Sequence, residues 1–252
     1  MARIVSFNAF LRGTGRSHLI ANVATLLAAD GKRVGVADLD DSAPTQHLIF
    51  GLPEAAIGFT LADSMAGRCR VEQAAYEVTP PEVQGAQGTG GGIFLAPLNI
   101  EPGWTPRAPR KGVDLDRLGD TLRDLIQTLA LDYLLTDSGS GINELSLTAL
   151  ALSDAAMVVL RLDRHDYQGT AVTIDLARKL DVPRLVLIVN LVSASFDPTE
   201  VRAKVAKTYG CDVAGVLPYA SQMSVREGPG IFVLDHPEHQ LTAALRKVAT
   251  QI

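Results

Sequence analysis

Cysteine is scarce in this 252-residue chain, occurring only at Cys69 and Cys211, far apart and in no CxxC spacing. That argues against a disulfide framework and leaves no close thiol pair to ligate a metal, so both are expected to be small buried side chains. Aromatics make up only 5% of residues although hydrophobic residues reach 47%. The apolar content is therefore mostly Ala, Val, Leu and Ile, the composition of buried parallel strands covered by helices. No apolar run approaches the roughly 20 residues that a spanning helix needs. The opening run, residues 2–7, is too short for a secretory core. A cytoplasmic location is the resulting expectation. Positive charge is not in excess either: 23 Lys and Arg against 28 Asp and Glu give a net charge of −5. Any contact with nucleic acid then requires a local basic patch.

What is present is an alternation of short apolar runs and longer periodic ones. The short runs begin at Arg3, Arg33, Ile93, Tyr133, Ala155, Arg184 and Asp212, and each ends at a polar residue, Pro or Gly. They read as buried strands. Between them, residues 17–30, 116–130, 167–180, 198–209 and about 239–252 repeat apolar residues at helical spacing. In the first of these, Leu19, Ile20, Val23, Leu26 and Leu27 form one stripe that Gly31 terminates. The alternation predicts an α/β fold, a doubly wound and mostly parallel sheet of about seven strands with helices on both faces. The length suits one domain, residues 1–252. Two stretches resist the pattern: residues 79–92, rich in Pro and Gly, and residues 101–112, with three prolines and the cations Arg107, Arg110 and Lys111. Both are expected to be irregular.

The first strand runs into Phe10-Leu11-Arg12-Gly13-Thr14-Gly15-Arg16-Ser17 and then a helix. Strand, Gly-rich turn, basic residue, hydroxyl and helix form the layout of a phosphate cradle. Backbone N–H groups and the helix N-terminus face anionic oxygens, the basic side chain reaches the outer phosphates and the hydroxyl holds Mg²⁺. Measured against GxxxxGK[ST], Phe10 replaces the first glycine and Arg16 the lysine. Taken alone, the stretch suits an ordinary glycine-containing turn equally well.

Further segments make the chain resemble the deviant Walker-A family of ParA/MinD ATPases over nearly its whole length. Leu11 to Ser17 aligns with the family's KGGxGK[ST]. Gly31 to Asp40, GKRVGVADLD, resembles GKRVLLIDLD. Asp132 to Gly141, DYLLTDSGSG, resembles DYVLIDTPPG, the Walker B and switch II segment. Leu187 to Asn190 resembles the strand that ends in an adenine-reading Asn, and Gly215 to Pro218 resembles the GxxP turn beside the base. Phe50-Gly51-Leu52 is similar to a segment of the partition-type proteins.

The resemblance implies a P-loop NTPase fold of the SIMIBI type that binds ATP or ADP with Mg²⁺. Gly13, Thr14, Gly15, Arg16, Ser17, His18, Asn190 and Pro218 would hold the nucleotide, the last pair framing adenine. Ser17, Asp38 and Asp137 would serve the metal, and Asp137 would report the γ-phosphate to switch II. Asp40, orienting the attacking water, Arg16 and Arg12 would be catalytic. Without the other segments, Asp38 and Asp137 read equally as polar ends of buried strands, Asn190 as a turn residue and Ser17 as a plain helix residue.

The departures matter. Leu11 stands where the family's signature lysine stabilises phosphate across a dimer, and Arg12 stands where the family has glycine. A planar guanidinium does not reproduce the point charge of the P-loop lysine. Ser138-Gly139-Ser140-Gly141 in place of TPPG is expected to loosen switch II. Nucleotide binding survives these changes better than fast hydrolysis does.

As implied by the resemblance, the partners are a second copy sandwiching nucleotide, an adaptor that modulates the switch, and nonspecific DNA as one further surface. Arg202, Lys204, Lys207, Arg246 and Lys247, with the three cations of 101–112, are the basic candidates; a solvated surface accounts for such charges as well. The last helix has a short stripe without aromatics, so it is expected to pack on the sheet rather than dock on a membrane. His165, in the 163–170 segment placed at a dimer or partner edge, reads as a solvated loop group. The competing function is a catalytically inactive scaffold pairing with an active relative. An iron–sulfur reductase on this fold is disfavoured, because Cys69 and Cys211 lie away from the segments that would supply ligands.

Overall fold

The structure, a computed structural model, describes residues 2–84, 91–99, 115–224 and 230–252. The cations Arg107, Arg110 and Lys111 lie outside these residues, as does the whole irregular stretch 101–112 that carries them.

The seven apolar runs all form strands: β1 (Arg3–Ala9), β2 (Arg33–Asp38), β4 (Gly92–Pro97), β5 (Tyr133–Ser140), β6 (Ala155–Leu160), β7 (Arg184–Val192) and β8 (Asp212–Pro218). An eighth, β3 (Tyr76–Glu77), adds a two-residue antiparallel edge beside β4, too short to carry a period in sequence. The sheet order is β3-β4-β2-β5-β1-β6-β7-β8, and every pair except β3 with β4 is parallel. Because β1 sits centrally, the chain winds to one side first and to the other afterwards. The crevice outside the carboxyl ends of β1, β2 and β5 is thus the switch point where such sheets take ligands.

Each central strand is buried on both faces, and its alternate residues feed different layers. On β6, Met157 and Val159 join the core under helix α1 (Arg16–Ala29), whereas Val158 and Leu160 face Ile174, Val201 and Val205 on the other side. The helices Leu115–Thr128 and Glu144–Ala151 cover that second face over β2 and β5. The second of these is short and interleaves Glu144, Ser146 and Thr148 with its apolar residues, so it shows no clear helical stripe in the sequence.

Helix α1 departs from the one-stripe expectation. It is buried from Leu19 to Ala28 on almost every side. The sheet lies under it and the final helix, Gln240–Ala249, lies against it, and Asn22 Oδ1 accepts from the Val233 amide at 2.8 Å. The polar Asn22 and Thr25 are satisfied within this shell, Thr25 by donating to the Ala21 carbonyl at 2.8 Å. The final helix packs on the sheet as expected, with Leu241, Leu245 and Val248 buried. Among the described residues, no helix is long and apolar enough to cross a membrane.

Candidate functional site at the mouth of β1, β2 and β5

The turn after β1 holds Gly13 at φ +75° and Gly15 at φ +79°, left-handed conformations that glycine adopts without strain. Helix α1 then starts with no side-chain cap and no acidic residue in its first turn. Its leading N–H groups and positive dipole end are therefore left for an anion. A cavity of about 600 Å³ opens directly over this turn. Residues 13–18 of the loop, Arg16 included, line it, with Asp40, Ala43 and Thr45 from the segment after β2 and Ser140 from the end of β5. The size suits a small organic ligand. Arg12 is exposed at the rim, where its Nη2 donates to Ser42 Oγ at 2.8 Å.

Phe10, in the place of a glycine, is explained by a neighbour. A Cβ on Gly169 would fall 2.0 Å from Phe10 Cδ1, so the ring lies flat on the bare backbone of the helix Arg164–Lys179. On this far side of the loop, Phe10 and Leu11 form a second cleft with Arg161, Asp163, His165, Gln168 and Val172. Asp163 caps that helix by accepting from the His165 and Asp166 amides, so the helix begins three residues ahead of the expected position 167.

Beneath the main cavity the strand ends bring the acidic residues together. Asp38 and Asp137 are register partners on adjacent strands, and Asp40 follows two residues on. Arg16 lines the cavity floor and turns its guanidinium into this group. Only 5% exposed, its guanidinium donates through Nε to Asp137 Oδ1, through Nη1 to the Gly139 carbonyl, and through Nη2 to Asp40 Oδ2 at 3.1 Å. The planar fork of an arginine can reach three acceptors on two strand ends in this way, and a lysine ammonium cannot match its geometry. Switch II is consequently held, contrary to the loosening expected of Ser138 to Gly141. Residues 138–140 extend β5, Gly139 at φ +74° turns its carbonyl to Arg16, and the Gly141 amide donates to Ala9 O at 3.0 Å.

Gln46, which the sequence did not single out, completes the cluster. It is fully buried at the start of helix α2 (Gln46–Phe50), and its Nε2 donates to Asp137 Oδ2 at 2.8 Å and to the Ser17 carbonyl at 3.1 Å. Its only sequence signal is its place eight residues after Asp38. Asp38 Oδ2 accepts the Thr45 and Gln46 amides, both at 3.0 Å, while Oδ1 accepts the Asp40 amide at 3.2 Å. Burial, reinforced by the charge of Asp137, pushes the Asp38 carboxyl up to about 8 despite the amides it accepts.

Asn190 and Pro218 do not line the cavity among its described residues. Asn190 Nδ2 donates to the Thr14 carbonyl at 2.7 Å, bracing the back of the loop, and Pro218 ends β8 opposite Val192. Of the basic candidates, Arg202 donates to the Val213 carbonyl and shares a cleft at the β8 edge with Lys247. Lys204, Lys207 and Arg246 are exposed on the same two helices.

The three carboxylates, as paired here, do not suit direct ligation of the Mg²⁺ that the resemblance implies, which leaves Ser17 at the cavity wall as the remaining candidate ligand. That ion requires near-octahedral oxygen ligands at about 2.0–2.1 Å. All the carboxylate oxygens of Asp38, Asp40 and Asp137 already accept hydrogen bonds: Asp38 from three amides, Asp40 Oδ1 from Ser42 and Ala43, and the rest from Arg16 and Gln46. A guanidinium stands against two of the three carboxylates.

The sequence model of the ParA family, described as NUBPL iron-transfer P-loop NTPase, matches residues 11–252. An uncharacterized ATP-binding protein of Methanocaldococcus jannaschii is 27% identical over 242 residues, covering 95% of this chain and 83% of that protein. The septum site-determining protein MinD of Bacillus subtilis is 24% identical over 247 residues, covering 95% and 85%. Among solved structures, MinD of Pyrococcus horikoshii complexed with Mg-ADP superposes with a TM-score of 0.78 at 22% identity, covering 100% of this chain and 96% of that one. The MinC:MinD cell division complex of Aquifex aeolicus gives 0.76 at 20% identity, covering 99% and 95%.

Proposed function

Because the chain belongs to the ParA family of P-loop NTPases, we propose that it is an ATP-binding, dimer-forming switch with slow hydrolysis. The observation that carries this reading is the pairing of an open phosphate loop with a committed arginine. The uncapped start of α1 faces a cavity of about 600 Å³, while the Arg16 side chain is withdrawn into the carboxylates below. Gly13 to Ser17 and His18 would receive the phosphates, with Arg12 adding charge at the rim. Asp40, the residue that would orient water, accepts from Arg16, Ser42 and Ala43, so its carboxylate is not free to hold a nucleophile. The framing of adenine by Asn190 and Pro218 belongs to this proposal.

A second copy would meet the chain beside the loop, where Leu11 and the half-exposed Val172 line an apolar cleft. By analogy with the MinC:MinD complex an adaptor would read the nucleotide state, and the cargo would be DNA or another body positioned in the cytoplasm. The buried Arg16 also favours a second reading, an inactive scaffold that pairs with an active relative. The iron-transfer wording of the family description finds less support. Cys69 precedes the β3 edge and Cys211 immediately precedes β8 at the opposite edge, and partial burial pushes both thiols up.

Light scattering on purified protein with and without ATP, run beside a phosphate-release assay, tests the reading. ATP-dependent dimers with turnover well below about 1 s⁻¹, at the foot of the ordinary enzymatic range, are the expected result. Monomers in both conditions despite bound ATP would favour the scaffold, and rapid phosphate release would refute slow turnover.

A further inference from the structure

Six carboxylate oxygens lie under the phosphate loop, on Asp38, Asp40 and Asp137, and none is left without a hydrogen-bond donor. A cation entering this cluster would have to strip donors that come from the same chain. Its strongest competitor is Arg16, which is held at three points on two strand ends and is almost sealed from solvent. Two carboxylates at such depth need a positive partner, because an uncompensated buried charge is expensive. The chain supplies that partner itself.

The same side chain is absent from the role a P-loop cation ordinarily fills. Committed to Asp40, Asp137 and Gly139, the guanidinium cannot also reach outward along a triphosphate. Arg16 lines the cavity with only a sliver of its surface, and the rest of the loop's contribution is main-chain N–H at the start of α1, the half-buried Ser17 and His18, and Arg12 at the rim. Anion recognition is thus divided from carboxylate neutralisation, with separate groups for each.

We propose that Arg16 is a built-in counter-ion, occupying the position between the strand-end carboxylates where a divalent cation would be needed, so that the loop binds nucleotide phosphates independently of Mg²⁺. The inference rests on the nucleotide-binding reading above and adds to it the ionic requirement of the site. Asp137 and Gly139 are then tied to the loop whether or not nucleotide is present. Gln46 serves as a positioning residue in this arrangement, since it links Asp137 to the first turn of α1.

The test titrates the full chain with a fluorescent ATP analogue, once in EDTA and once in millimolar Mg²⁺, for wild type and Arg16→Lys. Manganese binding is followed separately by electron paramagnetic resonance. Wild type should bind the analogue with affinities that agree within about threefold in the two buffers and should hold no manganese. Arg16→Lys, which removes the fork but keeps one charge, should show affinity that rises about tenfold or more with Mg²⁺, close to 1.4 kcal/mol. Wild-type affinity that depends on Mg²⁺ to that extent, or stoichiometric manganese in the wild type, overturns the counter-ion. Equal metal independence in the lysine variant overturns its assignment to Arg16. If Arg16→Lys does not fold, the wild-type titration and resonance spectrum still decide. Absence of analogue binding in both buffers defeats the nucleotide reading instead, and the manganese spectrum of the free protein then judges the counter-ion alone.

Discussion

Two arginines of one loop, four positions apart, have opposite environments. Arg12 is exposed at the cavity rim with a single hydroxyl neighbour, Ser42. Arg16 is buried, paired with Asp40 and Asp137 and bonded to Gly139 O. The motif alone treats both as phosphate-facing cations. The difference teaches that a charge becomes available to a ligand through solvent exposure and a lack of competing partners, rather than through its place in a sequence pattern. Arg12 meets both conditions. Arg16 meets neither, and its energetic weight is in the fold.

Removing each arginine sharpens that contrast, and the buried one should give the largest effect. Arg16→Ala leaves two buried carboxylates facing each other without a counter-charge and should lower stability by about 3–5 kcal/mol in denaturant unfolding. A loss under about 1 kcal/mol would mean that the pair is solvated or replaceable. Gly15→Ala comes next. The position has φ +79°, and a Cβ there would lie 2.6 Å from Asn190 Nδ2, the group that braces Thr14. Thermal or denaturant melting should show a loss of about 1–3 kcal/mol, and a neutral outcome would show that the loop is not fixed from behind.

Asp38 extends the comparison to pH. Its folded-state value near 8 lies above the ordinary 3.8, so the folded chain keeps a proton that the unfolded chain releases. Stability from this group is therefore complete below about pH 4 and is lost as pH rises toward 8, with a slope of at most about 1.4 kcal/mol per unit. Unfolding midpoints for wild type and Asp38→Asn at pH 5 and pH 7.5 should diverge accordingly, the wild type losing more of its stability over the interval. Parallel behaviour of the two would contradict the burial argument. Arg12→Ala should have the smallest effect on the fold, within about 0.5 kcal/mol, while weakening nucleotide affinity about three- to tenfold. A variant that unfolds, or binds unchanged, would erase the distinction between the two arginines.

Much of the scaffold was legible because parallel strands buried on both faces read as continuous Val, Leu and Ile runs. All seven such runs, and the five periodic helices, fall within a few residues of their expected places. The two-residue β3 and the eight-residue helix Glu144–Ala151 were not legible, since neither carries a clear period. At the site, the resemblance of the segments holding Asp38, Asp40 and Asp137 to family motifs implied their meeting beside the glycine turn, which residue spacing alone did not. The direction of Arg16 was not legible, because its rotamer is selected by carboxylates far along the chain. Gln46 escaped notice for a similar reason: its amide gains meaning only when β2, β5 and α1 converge.

The account turns on where the Arg16 guanidinium stands when a triphosphate occupies the cavity. A crystal structure with a non-hydrolysable ATP analogue and Mg²⁺ would show this directly. The predicted result is phosphate density against the amides of residues 13–17, with Arg16 still on Asp40 and Asp137 and no metal between Ser17 and Asp137. An octahedral ion bound at Ser17 Oγ, with Arg16 swung out onto the γ-phosphate, would contradict it.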